Sequence, residues 1–202
     1  MIDRMLRSPK EQLLLPLAGG PFRAVSPTLL TLIALVTGLA SGVAAWRCAY
    51  PLALALWLVN RTLDGLDGTV ARVNDKQSDA GGYLDIVLDT VVYAAVPLGL
   101  ALGANTRSGY LCLAVLMISF YVNATSWLYQ SGMMEKRRQG AVARGELTSL
   151  TIPTGLIEGT ETVICYCLFL LFPRALPFLF SGMALLVMVT VGQRLVWAAR
   201  SL

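Results

Sequence analysis

Residues 64–89 read DGLDGTVARVNDKQSDAGGYLDIVLD and contain six of the chain's seven aspartates. Two pairs of these aspartates have helical spacing: Asp64 with Asp67, and Asp85 with Asp89. Because successive residues of an α-helix are about 100° apart, the members of each pair share one helix face. An aspartate at the centre of a spanning helix costs about 2.5–3.5 kcal/mol on insertion scales, so four of them must meet water or metal. The stretch is therefore the first candidate for a functional site.

The chain around this stretch is strongly apolar. It has 202 residues, of which 56% are hydrophobic and 14% charged, and its mean hydropathy is +0.66. An average soluble domain is about 45–50% apolar and about 25% charged, so the composition predicts an integral membrane protein. The chain has no histidine, so acid–base or metal chemistry must use carboxylates. In a membrane protein, the net charge of +4 indicates topology and lipid contact, and we predict no nucleic-acid partner.

The apolar runs predict an all-α integral membrane protein with six transmembrane helices and an N-terminal interfacial helix. We place the six helices at residues 27–46, 50–74, 81–102, 109–131, 148–171 and 178–198. Residues 1–25 are predicted to form the cytoplasmic, interfacial amphipathic segment, and residues 26–202 the transmembrane domain. With the N-terminus inside, thirteen of the sixteen basic residues lie on the cytoplasmic side. The aspartate stretch is therefore expected to face the cytoplasm.

If helices 2 and 3 face each other, their aspartates form a cage of hard oxygen ligands. Such ligands suit Mg²⁺ or Mn²⁺, including a pair of ions about 3.5–4 Å apart. The neighbouring residues suit a phosphate-bearing ligand. Gly68 and Ala71 keep the helix face shallow, and the Arg72 guanidinium can bind phosphate oxygens bidentately. Gly81 lies at the start of helix 3, where the helix dipole favours anions.

The pattern Asp64-x2-Asp67-Gly68-x2-Ala71-Arg72-x8-Gly81-x3-Asp85-x3-Asp89 resembles, position for position, the signature of the class I CDP-alcohol phosphotransferases. The resemblance implies an enzyme of phospholipid biosynthesis that moves a substituted phosphate from a CDP-linked donor to the hydroxyl of an alcohol, releasing CMP. The implied donor is of the CDP-diacylglycerol type. The resemblance also implies residence in the bacterial inner membrane, contact with membrane lipids, and a homodimer, which is common in the family.

The resemblance further implies a role for each signature residue. The four aspartates would hold two divalent ions, and Asp89 would also be the base that takes the acceptor's proton. Gly68, Ala71, Arg72 and Gly81 would contact the nucleotide. Family members often have Pro-Asn near the start of helix 1, whereas this chain has Pro27-Thr28. Thr28 or Thr31 could replace the asparagine as a nucleotide contact, but we interpret both mainly as helix-packing residues.

The acceptor pocket is less well defined by the sequence. Arg138 and Arg144 lie in a basic loop between helices 4 and 5, which indicates either topology and anionic-lipid contact or a pocket for a phosphorylated alcohol. Glycerol 3-phosphate and inositol phosphate are acceptors of that kind, and Arg194 is a weaker candidate for binding them. Glu158 and Glu161 are placed early in helix 5, either lining this pocket or anchoring an arginine.

A second functional class also fits intramembrane carboxylates, namely a cation transporter or channel. Two features of the sequence disfavour it. The acids cluster towards one membrane face rather than the midplane, and no internal repeat is visible. We therefore expect an enzyme.

Overall fold

The computed structural model describes residues 14–137 and 155–201. Within these ranges the chain is helical and has no strand, which confirms the all-α prediction. The principal helices of the described residues are α1 (Pro27–Trp46), α2 (Tyr50–Val73), α3 (Asp79–Ala104), α4 (Arg107–Lys136), α5 (Gly159–Leu171) and α6 (Leu176–Ser201). A short 3-10 turn, Pro173–Ala175, precedes α6, and residues 14–19 are also helical.

The start of helix 5 differs from the prediction. Helix α5 begins at Gly159 rather than near residue 148, and residues 155–158 are not helical. Glu158 is the N-cap, and its side chain and that of Glu161 form a reciprocal capping box with the backbone of the first turn. Such a box satisfies N–H groups that have no partner within the helix, so it marks a helix start. The prediction that Glu158 lies inside helix 5 is therefore wrong, whereas Glu161 does lie in the first turn of α5.

In the part of the chain that the structure describes, four segments are long and apolar enough to cross a membrane: α1, α3, α4 and Pro173–Arg200, which includes α6. Helix α2 is long enough but carries Arg61, Asp64 and Asp67 within its apolar sequence. Helix α5 has 13 residues, about 20 Å at 1.5 Å per residue, which is less than the roughly 30 Å of a hydrocarbon core. These apolar helices identify the chain as a membrane protein, and the count of six spans stays a prediction.

Helix α1 packs against both α2 and α3. A Cβ atom at Gly99 of α3 would lie 2.0 Å from the carbonyl oxygen of Gly42, so the two backbones touch where neither residue has a side chain. Two polar side chains join α1 to α2: Ser41 Oγ donates to the Ala53 carbonyl at 2.8 Å, and Asn60 Nδ2 donates to the Ala34 carbonyl at 2.7 Å. Helix α1 therefore holds the two aspartate-bearing helices in place.

A second pair, α4 and α6, packs together, and α5 contacts α2, α3 and α6. The core at this junction is aromatic. Trp57 stacks on Tyr166 with ring centroids 4.7 Å apart, and Phe169 meets Phe180 edge-on at 4.9 Å. The Tyr166 hydroxyl donates to the Tyr93 carbonyl at 2.5 Å, which satisfies a buried polar group. The aromatic core thus fixes α5 against the helices that bear the aspartates.

The N-terminal segment lies against the start of α1 and the second half of α2. Ala18 is fully buried in a small cluster with Leu30, Leu66 and Val70. Lys76 Nζ donates to the Arg23 carbonyl at 3.3 Å, which joins the segment to the turn after α2. Residues 1–13 lie outside the described residues, so the interfacial helix stays a prediction.

Candidate active site

A cavity of about 1430 Å³ opens between the helices, and most of the signature residues line it. These are Asp67, Gly68, Ala71, Arg72, Gly81, Asp85 and Asp89. The eighth, Asp64, lines an adjoining void of about 10 Å³ together with Asp85 and Asp89. A void of that size has room for roughly one water molecule. Helical spacing therefore predicted correctly which faces of α2 and α3 turn to a common space.

Two of the aspartates are held by side chains of the protein. Thr31 Oγ1 of α1 donates to Asp67 Oδ2 at 2.6 Å, in a buried hydrogen bond. Arg61 of α2 donates to Asp89 Oδ1 and lies 3.7 Å from Asp64. The sequence indicates mainly a helix-packing role for Thr31, and Arg61 is one of the thirteen basic residues that it places on the cytoplasmic side. Both Thr31 and Arg61 contact aspartates of the site. The signal for them in the sequence is a polar or charged side chain within an otherwise apolar helix.

The donor set fits a hard divalent cation. Asp85 Oδ1 is buried and has no hydrogen-bond partner among the described residues, so this anionic oxygen is available to a cation. All the ligand candidates are carboxylate oxygens, the type that Mg²⁺ and Mn²⁺ prefer. In residues 14–137 and 155–201, however, no three acidic, histidine or cysteine side chains are close enough to form a ready-made centre. The predicted four-carboxylate cage has the right faces but is not closed.

The residues predicted to contact the nucleotide lie beside the acids. A Cβ atom at Gly68 would be 3.2 Å from Arg72 Nη1, so the glycine leaves room for the guanidinium to lie along the helix. At the start of α3, Ser78 is the N-cap, and its hydroxyl accepts the Gly81 N–H at 3.1 Å. The helix dipole at this end still favours an anion, but that N–H is already bonded. Arg72 and the N-terminus of α3 thus provide positive potential next to the aspartates.

The opposite wall of the cavity carries a buried cation. Arg194 of α6 is only 4% exposed, and its Nη1 donates to Asn123 Oδ1 of α4 at 2.7 Å. Its Nε is buried without a hydrogen-bond partner in the part of the chain that the structure describes. Both residues line the cavity. Sequence reasoning missed Asn123, because nothing in the local sequence distinguishes it from other polar residues of helix 4.

The residues predicted to bind the acceptor do not all lie at the cavity. Glu158 lines the cavity, and its Oε1 accepts the Gly155 N–H at 2.9 Å. Glu161 is not among the lining residues, and its carboxylate accepts the Glu158 N–H at 3.3 Å. Arg138 and Arg144 lie outside the described residues. Of the four candidates, the structure brings Glu158 to the cavity, together with the weaker candidate Arg194.

Known proteins resemble the chain in sequence and in fold. Residues 24–192 match the CDP-alcohol phosphatidyltransferase family. The inner membrane protein YnjF of Escherichia coli is 37% identical over 156 residues, which cover 74% of this chain and 71% of YnjF. The archaetidylinositol phosphate synthase of Pyrococcus horikoshii is 34% identical over 83 residues, which cover 41% of this chain and 44% of the synthase.

Two crystal structures of Mycobacterium tuberculosis phosphatidylinositol phosphate synthase share the fold. The one with CDP-DAG bound has a TM-score of 0.64 and 20% identity, covering 91% of this chain and 92% of that one. The one in complex with manganese and citrate has a TM-score of 0.64 and 21% identity, covering 90% and 87%. Because the family match extends over well more than half of its length, the chain belongs to the CDP-alcohol phosphatidyltransferase family.

Proposed function

We propose that the protein transfers a phosphatidyl group, or a similar substituted phosphate, from a CDP-diacylglycerol-type donor to the hydroxyl of an alcohol and releases CMP. The observation that carries this proposal is one cavity that is lined by three of the four signature aspartates, by Arg72 and, on its far wall, by Arg194. Family membership supports phospholipid biosynthesis and gives no support to a cation transporter. The bound CDP-DAG of the mycobacterial synthase supports the same donor class.

The acids are proposed to hold divalent cations, Mg²⁺ or Mn²⁺, with Asp64, Asp67, Asp85 and Asp89 as ligands. The buried, unpartnered Asp85 Oδ1 supports this role, and so does the manganese in the mycobacterial complex. Two such ions would neutralise the negative charge that develops on the phosphate of CMP as it leaves. Thr31 would keep the Asp67 carboxylate in one orientation through its hydrogen bond to Oδ2.

Asp89 is proposed as the base. The acceptor oxygen attacks the phosphorus that bears the lipid, the bond from that phosphorus to the bridging oxygen of CMP breaks, and the hydroxyl proton passes to the Asp89 carboxylate. Its Oδ1 accepts a hydrogen bond from Arg61, so Oδ2 is the oxygen that takes the proton. Gly68, Ala71, Arg72 and Gly81 are proposed to hold the nucleotide and its phosphates beside the acids. Their common position on the cavity wall supports these roles.

The acceptor is proposed to be a phosphorylated polyol, such as glycerol 3-phosphate or inositol phosphate. The buried Arg194, with an N–H that lacks a partner in the described part of the chain, supports an anionic acceptor on the wall opposite the aspartates. An arginine fork suits phosphate recognition. The archaeal and mycobacterial proteins are named as synthases of archaetidylinositol phosphate and phosphatidylinositol phosphate. Inositol phosphate is therefore the first acceptor to test.

The site is proposed to face the cytoplasm from the bacterial inner membrane. The distribution of basic residues supports this orientation, and the description of YnjF as an inner membrane protein supports the location. A homodimer stays a prediction from the family.

The decisive experiment is a CMP-release assay on the purified protein in nanodiscs. CDP-diacylglycerol is supplied with Mg²⁺ or Mn²⁺ and a panel of acceptors: inositol phosphate, glycerol 3-phosphate, inositol, glycerol and serine. We expect metal-dependent CMP release with a phosphorylated polyol and a new lipid of matching mass. Release with an unphosphorylated acceptor alone would contradict the acceptor class, and no CMP from any pair would contradict the enzyme itself.

A further inference from the structure

Arg61 is the most tightly held charged side chain near the aspartates, although it is not one of the signature residues. Its side chain is only 9% exposed. Nε donates to Asn60 Oδ1 at 2.7 Å, and Nη1 donates to the Tyr93 hydroxyl at 2.9 Å. The guanidinium carbon also lies 4.7 Å from the ring centroid of Trp57 and 4.8 Å from that of Tyr93. Cation–π contact of this kind is strongest for desolvated cations.

These contacts hold Arg61 in addition to its ion pair with Asp64, whose oxygen lies 3.7 Å from Nη1. Asn60 is itself fixed, because its Nδ2 donates to the Ala34 carbonyl, and Tyr93 is buttressed by the ring of Tyr166 at 5.4 Å. The third guanidinium nitrogen, Nη2, is thereby directed from α2 to Asp89 Oδ1 on α3. Because Nε and Nη1 are already bonded, the planar guanidinium cannot rotate freely. Its Nη2 therefore fixes the orientation of the Asp89 carboxylate.

We propose that Arg61 is a positioning residue of the site: a fixed guanidinium that binds one oxygen of Asp89, leaves the other oxygen for the cavity, and removes one unit of negative charge from the aspartate cluster. The proposal rests on the proposed function, in which Asp89 is the base. Arg61 contacts no part of the reaction directly and acts through Asp89.

The charge balance gives the proposal a second consequence. Four aspartates and Arg61 carry a formal charge of −3, whereas the aspartates alone carry −4. Without the guanidinium, the cluster attracts a divalent cation more strongly, because a fixed unit charge inside a poorly solvated site is little screened. Arg61 therefore weakens cation binding while it improves the geometry of the base. A residue that only maintained the fold would do neither.

Two substitutions separate charge from geometry. Arg61→Gln removes both the charge and the guanidinium fork that reaches Asp89, whereas Arg61→Lys keeps the charge and replaces the fork by a single ammonium group. For R61Q we expect Mn²⁺, followed by the electron paramagnetic resonance signal of the free ion, to bind about three- to tenfold more tightly. For R61K we expect Mn²⁺ affinity near that of the unaltered protein.

Both variants are expected to lose turnover. We expect kcat for CMP release to fall roughly 100-fold in each, with KM for CDP-diacylglycerol changed by less than about threefold, because a base displaced by 1 Å affects the chemical step rather than donor binding. Unchanged or weaker Mn²⁺ binding in R61Q would overturn the charge role. Full kcat in R61K would overturn the positioning role.

Arg47→Gln is the matched control. Arg47 lies over the Trp46 ring at 5.7 Å, at the turn between α1 and α2, and is exposed. It loses an arginine–aromatic contact without reaching the aspartates, so Mn²⁺ affinity and kcat should not change. A double variant, R61Q with Asp89→Asn, should be no slower than Asp89→Asn alone, because Arg61 acts through that carboxylate. Additive losses would show a separate role for Arg61 and contradict the proposal.

This design distinguishes the inference from the proposed function. If the unaltered protein released no CMP from any donor and acceptor, the function would fall, and Mn²⁺ titration would still decide whether Arg61 controls cation binding. If the unaltered protein is active but R61Q leaves both readouts unchanged, the inference falls and the function stands.

Discussion

The cavity has an acidic wall, formed by α2 and α3 with Asp67, Asp85 and Asp89, and Asp64 lies in the void beside it. Its basic wall is formed by α4, α6 and the start of α5 around Arg194. On the acidic wall, the oxygens of Asp67 and Asp89 have protein donors, Thr31 and Arg61, and Asp85 Oδ1 has none in the described residues. On the basic wall, Arg194 donates to the neutral oxygen of Asn123, and the carboxylate of Glu158 also acts on its charge. Two carboxylates are thus held by neighbouring side chains on the acidic wall, which is the side that we propose performs the chemistry.

The largest effect is expected on the acidic wall, from Asp89→Asn. Asparagine keeps the size of the side chain but cannot take a proton, so kcat for CMP release should fall by about 10²–10⁴. Binding of CDP, followed by isothermal titration, should be largely kept, because the other three aspartates and Arg72 remain.

Asp75→Asn provides the control for that substitution. Asp75 lies in the turn between α2 and α3 with a φ of 53°, a conformation that asparagine also adopts readily, and it does not line the cavity. Its turnover should match that of the unaltered protein. If Asp89→Asn were equally active, Asp89 would lose the role of base.

The two walls differ in how far the sequence predicts them. Asp64 to Asp89 lie within one stretch, and the period of the α-helix places each pair on one face of its own helix. The packing of α1 against both α2 and α3 then turns these faces to a common space. Arg194 and Asn123 are 71 residues apart, and only the packing of α6 on α4 brings them together. No local period encodes such a pair. The start of α5 was predicted wrongly for a related reason, because hydropathy continues through residues 148–158 while the Glu158 cap begins the helix at Gly159.

The next effect is expected on the basic wall, from Arg194→Gln. A hydrogen bond to a charged group contributes about 1.5–3 kcal/mol, so KM for a phosphorylated acceptor should rise by roughly 10- to 100-fold while KM for the donor stays constant. Steady-state assays with each substrate varied in turn measure this difference. Arg200→Gln, at an exposed position one and a half turns along the same helix, should change neither value. Equal changes in both KM values for Arg194→Gln would show that the basic wall does not select the acceptor.

A third test disturbs the contact between α1 and α3, which supports the acidic wall. In Gly99→Ala the new methyl group would overlap the Gly42 carbonyl of α1, so α1 and α3 must separate. Overpacking of this kind costs about 1–3 kcal/mol, and the melting temperature in detergent should fall. Gly182→Ala in α6 has no atom within 4 Å of its new Cβ, so it should be neutral or slightly stabilising. Equal melting temperatures for the two variants would mean that the α1–α3 contact does not support the fold.

The smallest effect is expected at the edge of the basic wall, where Glu158 both caps α5 and lines the cavity. Glu158→Ala should lower stability by about 1 kcal/mol, because N–H groups at the start of α5 lose their acceptor. Glu158→Gln keeps an acceptor oxygen but not the charge, so its melting temperature should lie close to that of the unaltered protein. The pair also tests whether the charge matters beside Arg194. If Glu158→Gln lowers KM for a phosphorylated acceptor, Glu158 repels that phosphate and tunes the basic wall. If KM is unchanged while Glu158→Ala is less stable, Glu158 contributes only the cap.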